Sequence, residues 1–128
     1  MATRKPQTRS QIDFPRRGDI FLVASDPTLG HEIQKTRQAV VIQNEISNQS
    51  SPITIVAAIS SQFANPPYPR EVVIEPGESG LPKTSAVIAN QIRSIDCRRL
   101  VKRMGRLDAA AMRRVDQALL ISLGLVPL

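Results

Sequence analysis

A chain of 128 residues that is 41% apolar can build one hydrophobic core and not two. Its 17 Lys and Arg against 11 Asp and Glu leave a net charge of +6, which favours polyanions such as RNA, DNA or an acidic protein segment, and its single Cys excludes an internal disulfide framework. No apolar run approaches the ~18 residues that span a bilayer and no signal peptide is recognisable, so the expectation is a cytoplasmic protein without a membrane partner.

Met1 to Pro15 is polar, carries Arg4, Lys5 and Arg9 and lacks apolar periodicity, so it reads as a disordered basic arm preceding one domain over residues 16–128. Short apolar runs bounded by Gly, Pro, Ser and Asn then predict strands at Asp19 to Ala24, Ala39 to Asn44, Ile53 to Ser60, Arg70 to Glu75 and Ser85 to Asn90, with a weaker one from Gln91 to Asp96. The second and third are apolar without clean alternation, as strands covered on both faces by a helix or a second subunit would be. The fourth, flanked by charges and Pro76, reads as an edge strand. Long connections fall at Ser25 to Thr36 and Ser61 to Pro69, and the prolines in Asn65-Pro66-Pro67-Tyr68-Pro69 forbid a regular strand there. Arg98, Arg99, Lys102, Arg103 and Arg106 form a basic run, by default a solvated face and more sharply a contact for RNA or an acidic protein segment. An amphipathic helix from Ala109 to Leu123 ends the series, with Asp108 as N-cap, a Leu107–Met112 hydrophobic staple and Gly124 at C′.

The residue types narrow the chemistry. One His, one Cys and no acidic metal cluster give a zinc or two-metal centre little support, and His31 alone cannot supply an acid and base pair. Phe14, Phe21, Phe63 and Tyr68 are too few for a broad stacking surface, so nucleic-acid binding would rest on charge and hydrogen bonds. Metal-free RNA cleavage fits these limits, because the ribose 2′-OH is itself the nucleophile and the enzyme supplies alignment and charge stabilisation. Arg37, leading into a buried strand, offers fixed donors for a phosphate, and Ser60, ending another strand, offers a hydroxyl. Arginine is a poor base, with a pKa above ~12, so water or another group must take the 2′-OH proton.

In order along the chain, Arg17-Gly18-Asp19-Ile20-Phe21, the Gly30-x-Glu32-x-x-x-x-Arg37 loop, Val40-Val41-Ile42-Gln43-Asn44, Ile59-Ser60-Ser61-Gln62 and Asn90-Gln91-Ile92-Arg93-Ser94-Ile95-Asp96 resemble the MazF/PemK family of toxin endoribonucleases. The resemblance continues through Arg99-Leu100 and the last helix. It implies a mainly β fold, an SH3-like barrel of the MazF/PemK/CcdB toxin type with a C-terminal helix, forming a homodimer that cuts single-stranded RNA at short sequences without a cofactor and is restrained by an acidic antitoxin. Carried over by position, Arg37 and Ser60 are catalytic, Glu32 is an accessory acid, and Arg17, Asn44, Ser61, Gln62 and Gln91 contact RNA. Two positions depart from the family pattern. Ser60 stands for the usual threonine and loses the methyl that restricts χ1, and Gln38 stands for proline, restoring a backbone N–H after Arg37. Slower cleavage is the expectation from the first, and a relaxed strand entry for Arg37 from the second.

Two other functions fit the same fold. One is a non-catalytic gyrase poison; such toxins resemble this chain but use a tryptophan near the C-terminus, and here there is no Trp and the chain ends Leu125-Val126-Pro127-Leu128. The other is an RNA-binding barrel, or a nuclease disabled by the Ser60 and Gln38 departures.

Overall fold

The computed structural model describes residues 14–24 and 36–127. The expected arm, except for Phe14 and Pro15, and the loop carrying His31 and Glu32 lie outside the described residues. Pro15 is buried and Phe14 half-buried, with the Arg16 guanidinium 5.9 Å above the Phe14 ring.

Among the described residues, six antiparallel strands form one mainly β, barrel-like sheet in the order β4-β5-β3-β2-β1-β6. They are β1 (Asp19–Ala24), β2 (Thr36–Val41), β3 (Ile53–Ser60), β4 (Glu71–Ile74), β5 (Ser85–Asp96) and β6 (Leu100–Arg106). Short helices α1 (Glu45–Ser50) and α2 (Pro76–Ser79) interrupt the series and α3 (Ala109–Ser122) closes it. Among the described residues no helix is long and apolar enough to cross a membrane.

Strands β1 and β3 have the bounds their apolar runs predict, and β4 lies at an edge as its flanking charges require. On one face of the sheet Ile20, Val40, Ala57 and Val87 pack beneath Ala111, Val115, Ala118 and Leu119 of α3. On the other face Val23, Ala39, Val41, Val56 and Ile95 make a second apolar cluster with half-buried Phe21 and Leu100. The middle strands therefore carry apolar residues to both faces, which is why their runs do not alternate.

Helix α3 starts where expected: the Asp108 carboxylate accepts the Ala111 N–H at 2.9 Å, and Leu107 and Met112 join the core beneath it. Gly124 takes a left-handed φ of 73° just past its end. Its outer face is not idle, since Arg114 forks onto Glu78 at 2.9 and 3.0 Å and donates to the Val73 carbonyl at 3.0 Å. That guanidinium holds the Glu78 carboxyl below the usual carboxylate range.

Three expectations require correction. The second strand runs from Thr36 to Val41 and does not reach Asn44, which caps α1 by accepting the Ser47 N–H at 2.8 Å. Gln43 turns inward instead, donating to Asn48 at 2.9 Å, and buried Asn48 accepts the Thr54 hydroxyl at 2.7 Å. These amide bonds satisfy buried polar groups that a continuing strand would leave unpaired. Ser85–Asp96 is one strand rather than two. The basic run after Arg99 is a strand, β6, whose pairing with β1 shifts register twice and so hides the alternation that marks a strand in sequence.

The Arg17-Gly18-Asp19 segment fastens these pieces together. Gly18 adopts a φ of 98°, which favours glycine, and donates its N–H to Val41 while accepting the Leu107 N–H. Buried Asp19 accepts Arg103 at 3.2 Å and Arg106 at 2.7 Å, which turns part of the basic run into the clasp between β1 and β6. Arg17 donates to the Ile42 carbonyl at 2.8 Å and to Asp116 of α3 at 2.6 Å. The pair is partly exposed, so Arg17→Met is expected to lower unfolding free energy by about 1 kcal/mol, read from the urea midpoint at constant m-value.

Candidate active site

Register brings the two principal candidates together. Strands β2 and β3 pair as Val41↔Val56, Val40↔Ala57 and Ala39↔Ala58, where the ladder ends; Arg37 and Ser60 each lie two residues beyond it, and both line one cleft. Side chains alternate along a strand, so Arg37 shares the face of Ala39 and Ser60 that of its partner Ala58. Arg37 is anchored on its other side, opposite Val23 of β1, so its backbone is held by the sheet while its side chain is exposed.

Ser60 is the last residue of β3. Its Oγ accepts the Gln62 N–H and donates to the Gln62 carbonyl, each at 3.0 Å. This local turn orients the hydroxyl that a threonine methyl would otherwise restrict, and a phosphate oxygen must draw the proton away from that carbonyl.

Gln91 reaches the same place through a β-bulge. Ala57 pairs with Ile92 but the next residue, Ala58, pairs with Ile88, so Ala89, Asn90 and Gln91 of β5 are accommodated across one step of β3. Such an insertion bends a strand and re-aims its side chains. Asn90 and Gln91 are exposed in the midst of an otherwise paired strand, and Gln91 lines the cleft.

That cleft encloses about 770 Å³, and Arg37, Ser60, Ser61, Gln62 and Gln91 all line it. A smaller apolar groove of about 360 Å³ adjoins it, sharing Arg37, Gln38 and Gln91 and adding Arg93. Gln38, the residue in place of the family's proline, is half-buried and borders both. Arg17 and Asn44 do not line either space; they hold α3 and cap α1. Glu32 lies outside the described residues.

Arg70, Glu71 and Lys83 also line the cleft and were not singled out by the sequence. Pairing of β4 with β5 carries Arg70 and Glu71 there, through Glu71↔Ile88 and the Ala89 N–H donated to the Arg70 carbonyl at 2.7 Å. Each looks like an ordinary flanking charge in the linear chain, and the neighbourhood exists only once the strands pair. Three cations, Arg37, Arg70 and Lys83, thus surround a space that holds one carboxylate, Glu71, among its described lining residues. The arrangement suits an extended polyanion. Among the described residues no three His, Cys, Asp or Glu side chains gather as metal ligands.

Comparison with known proteins agrees with this geometry. The family described as PemK-like, MazF-like toxin of type II toxin-antitoxin system matches residues 16–123. Endoribonuclease EndoA of Bacillus subtilis (strain 168) is 40% identical over 111 residues, covering 87% of this chain and 96% of its own. Crystal structures of MazF from Deinococcus radiodurans superpose alone, with a TM-score of 0.68 at 25% identity over 87% of this chain and 97% of that one. With MazE, the same organism's MazF gives 0.71 at 25% identity over 88% of this chain and 98% of that one. A mycobacterial endoribonuclease in complex with its cognate antitoxin shares the fold, with a TM-score of 0.73 at 22% identity over 89% of this chain and 99% of that one. With this similarity over nearly its whole length, the chain belongs to the PemK-like, MazF-like toxins of type II toxin-antitoxin systems.

Proposed function

We propose that this chain is a metal-independent, sequence-specific endoribonuclease that cuts single-stranded RNA at the Arg37–Ser60 cleft. The observation that carries the reading is that these two residues, each just beyond the end of the β2–β3 ladder, line one cationic cleft. The 2′-oxygen attacks the adjacent phosphorus, the bond from phosphorus to the 5′-oxygen breaks, and the products are a 2′,3′-cyclic phosphate and a 5′-OH. Arg37 and the Ser60 hydroxyl donate to the phosphoryl oxygens as charge builds on them. The 2′-OH proton passes to water, and the departing 5′-oxygen is protonated from solvent. Ser61, Gln62 and Gln91 contact the neighbouring nucleotides. A relative named as an endoribonuclease supports this activity.

The same reading makes the protein a cytoplasmic homodimer, built from a domain over residues 16–128 with a disordered basic arm before it. Structures of related folds in complex with an antitoxin support an acidic antitoxin as the partner of the +6 chain. The test is incubation of purified protein with mixed-sequence single-stranded RNA in EDTA. Discrete cuts with 2′,3′-cyclic phosphate and 5′-OH ends are expected; RNA that is bound but never cut sinks the nuclease.

The departure at position 60 has its own test. Ser60→Ala is expected to slow cleavage about tenfold or more through loss of one donor, and Ser60→Thr to preserve or raise the rate, in single-turnover assays on one labelled RNA. Equal rates for Ser60→Ala and the unsubstituted protein would remove the hydroxyl from the mechanism.

A further inference from the structure

The wall of the cleft formed by β4 and the loop before β5 carries chemistry that the cutting step does not use. Arg70 and Lys83 both line it, and among the described residues neither forms an ion pair with a carboxylate. The Arg70 guanidinium lies 4.5 Å from the centroid of the Tyr68 ring, within stacking range. That ring is 52% exposed, so it makes little contribution to the core.

The segment is also held in place. Tyr68 donates its N–H to the Glu71 carboxylate at 2.8 Å and accepts the Glu71 N–H at 2.8 Å, while the Arg70 carbonyl accepts the N–H of Ala89, two residues before Gln91. Prolines at 66, 67 and 69 restrict the chain on either side of the ring. Tyr68 does not itself line the cleft; as an exposed aromatic on a restrained turn, stacked by an arginine that does, it offers a π-face next to one cleft cation, with Lys83 a second on the same lining. Those are the complementary needs of a nucleotide within a single strand, whose base stacks and whose backbone is anionic. An acidic peptide would satisfy the cations and leave the ring unused.

We propose that Tyr68, Arg70 and Lys83 form a nucleotide subsite flanking the cut, in which Tyr68 stacks a base and Arg70 and Lys83 hold the adjacent backbone phosphates. The proposal rests on the reading of the cleft as an RNA site. It makes the enzyme's grip on RNA extend beyond the two nucleotides that share the broken bond, and it places part of the binding on a wall that takes no part in the chemistry.

The test uses the full chain and mixed-sequence 2′-fluoro RNA, which lacks the attacking hydroxyl, at about 4 and about 12 nucleotides, a span typical of single-strand sites. Tyr68→Ala is expected to weaken binding of the longer oligonucleotide about tenfold, with a smaller loss on the shorter one, and Tyr68→Phe to restore it. The double variant Arg70→Gln with Lys83→Gln should flatten the dependence of log affinity on log salt by about 0.7 for each phosphate contact removed. A merely structural role would leave that slope in place.

Tyr68→Ala binding as tightly as the unsubstituted protein, Tyr68→Phe binding as poorly as Tyr68→Ala, or an unaltered salt slope would each overturn the subsite. So would variants that lose an acidic antitoxin peptide while keeping RNA. Unmodified RNA of the same composition, run in parallel, separates the two readings: an unsubstituted protein that cuts none of it ends the nuclease proposal, while the 2′-fluoro affinities still decide the subsite.

Discussion

Arg37→Ala is expected to reduce the single-turnover cleavage rate by about 10²–10³-fold with the fold intact, the scale of losing a fixed donor at a charge that develops in the transition state. Arg37 occupies an exposed strand position outside both apolar clusters, so its truncation leaves no cavity in the core. Circular dichroism and the urea midpoint should therefore match the unsubstituted protein while product ends disappear. Arg37→Lys keeps the charge but not the planar fork of donors, and should recover only part of the rate. Cleavage by Arg37→Ala at the normal rate would remove this residue from the mechanism and shift attention to Arg70 and Lys83.

Gly105→Ala is expected to cost about 3 kcal/mol of stability, the largest effect we anticipate away from the cleft, and to lower Tm on the order of 10 °C. Gly105 lies in β6 where that strand passes the end of α2, and a Cβ there would collide with the backbone carbonyl of Ser79. A backbone atom cannot rotate aside as a side chain can. Ser79 is buried and the Glu78 carbonyl accepts the Asp108 N–H at 2.9 Å, so retreat of α2 would also disturb the cap of α3. Differential scanning calorimetry reads the result, and an unchanged Tm would mean that α2 yields freely. Gly77 offers a control in the same helix: nothing lies within 4 Å of a Cβ there, so Gly77→Ala should be close to neutral.

The two departures from the family's pattern look different in three dimensions. From the letters, serine in place of threonine at position 60 is a loss of preorganisation. In the fold, the Gln62 backbone holds the Ser60 Oγ through two bonds of 3.0 Å, so orientation comes from the turn and the cost shifts to competition for the hydroxyl proton. Gln38 borders both the cleft and its neighbouring groove, where it presents an amide at the place of a proline ring.

Arg17 and Asn44, expected to contact RNA, lie outside the lining of the cleft and its neighbouring groove. Both belong to segments that resemble the family's, yet the bonds they make here are architectural: Arg17 ties β1 to α3 and Asn44 starts α1. An arginine beside a glycine-aspartate pair carries no mark in sequence that tells a phosphate clamp from a helix anchor. What distinguishes them is Asp116 on the last helix, which only packing brings within 2.6 Å.

The sequence by itself determined the elements whose signals are local. The β-rich order, the bounds of β1 and β3, the edge character of β4, and α3 with its Asp108 cap follow from apolar periodicity and capping chemistry within a few residues. It also named five residues that line the cleft, by residue type and resemblance. Tertiary structure alone decided that β6 is a strand, because its alternation is broken by two register shifts against β1 and its arginines answer a carboxylate in a distant segment. It alone aimed Gln91 through the bulge in β5 and brought Arg70 and Lys83 to the wall of the cleft. Periodicity is a property of neighbours along the chain, whereas register, bulges and the meeting of charges depend on which strand lies beside which, and that is settled only when the whole sheet pairs.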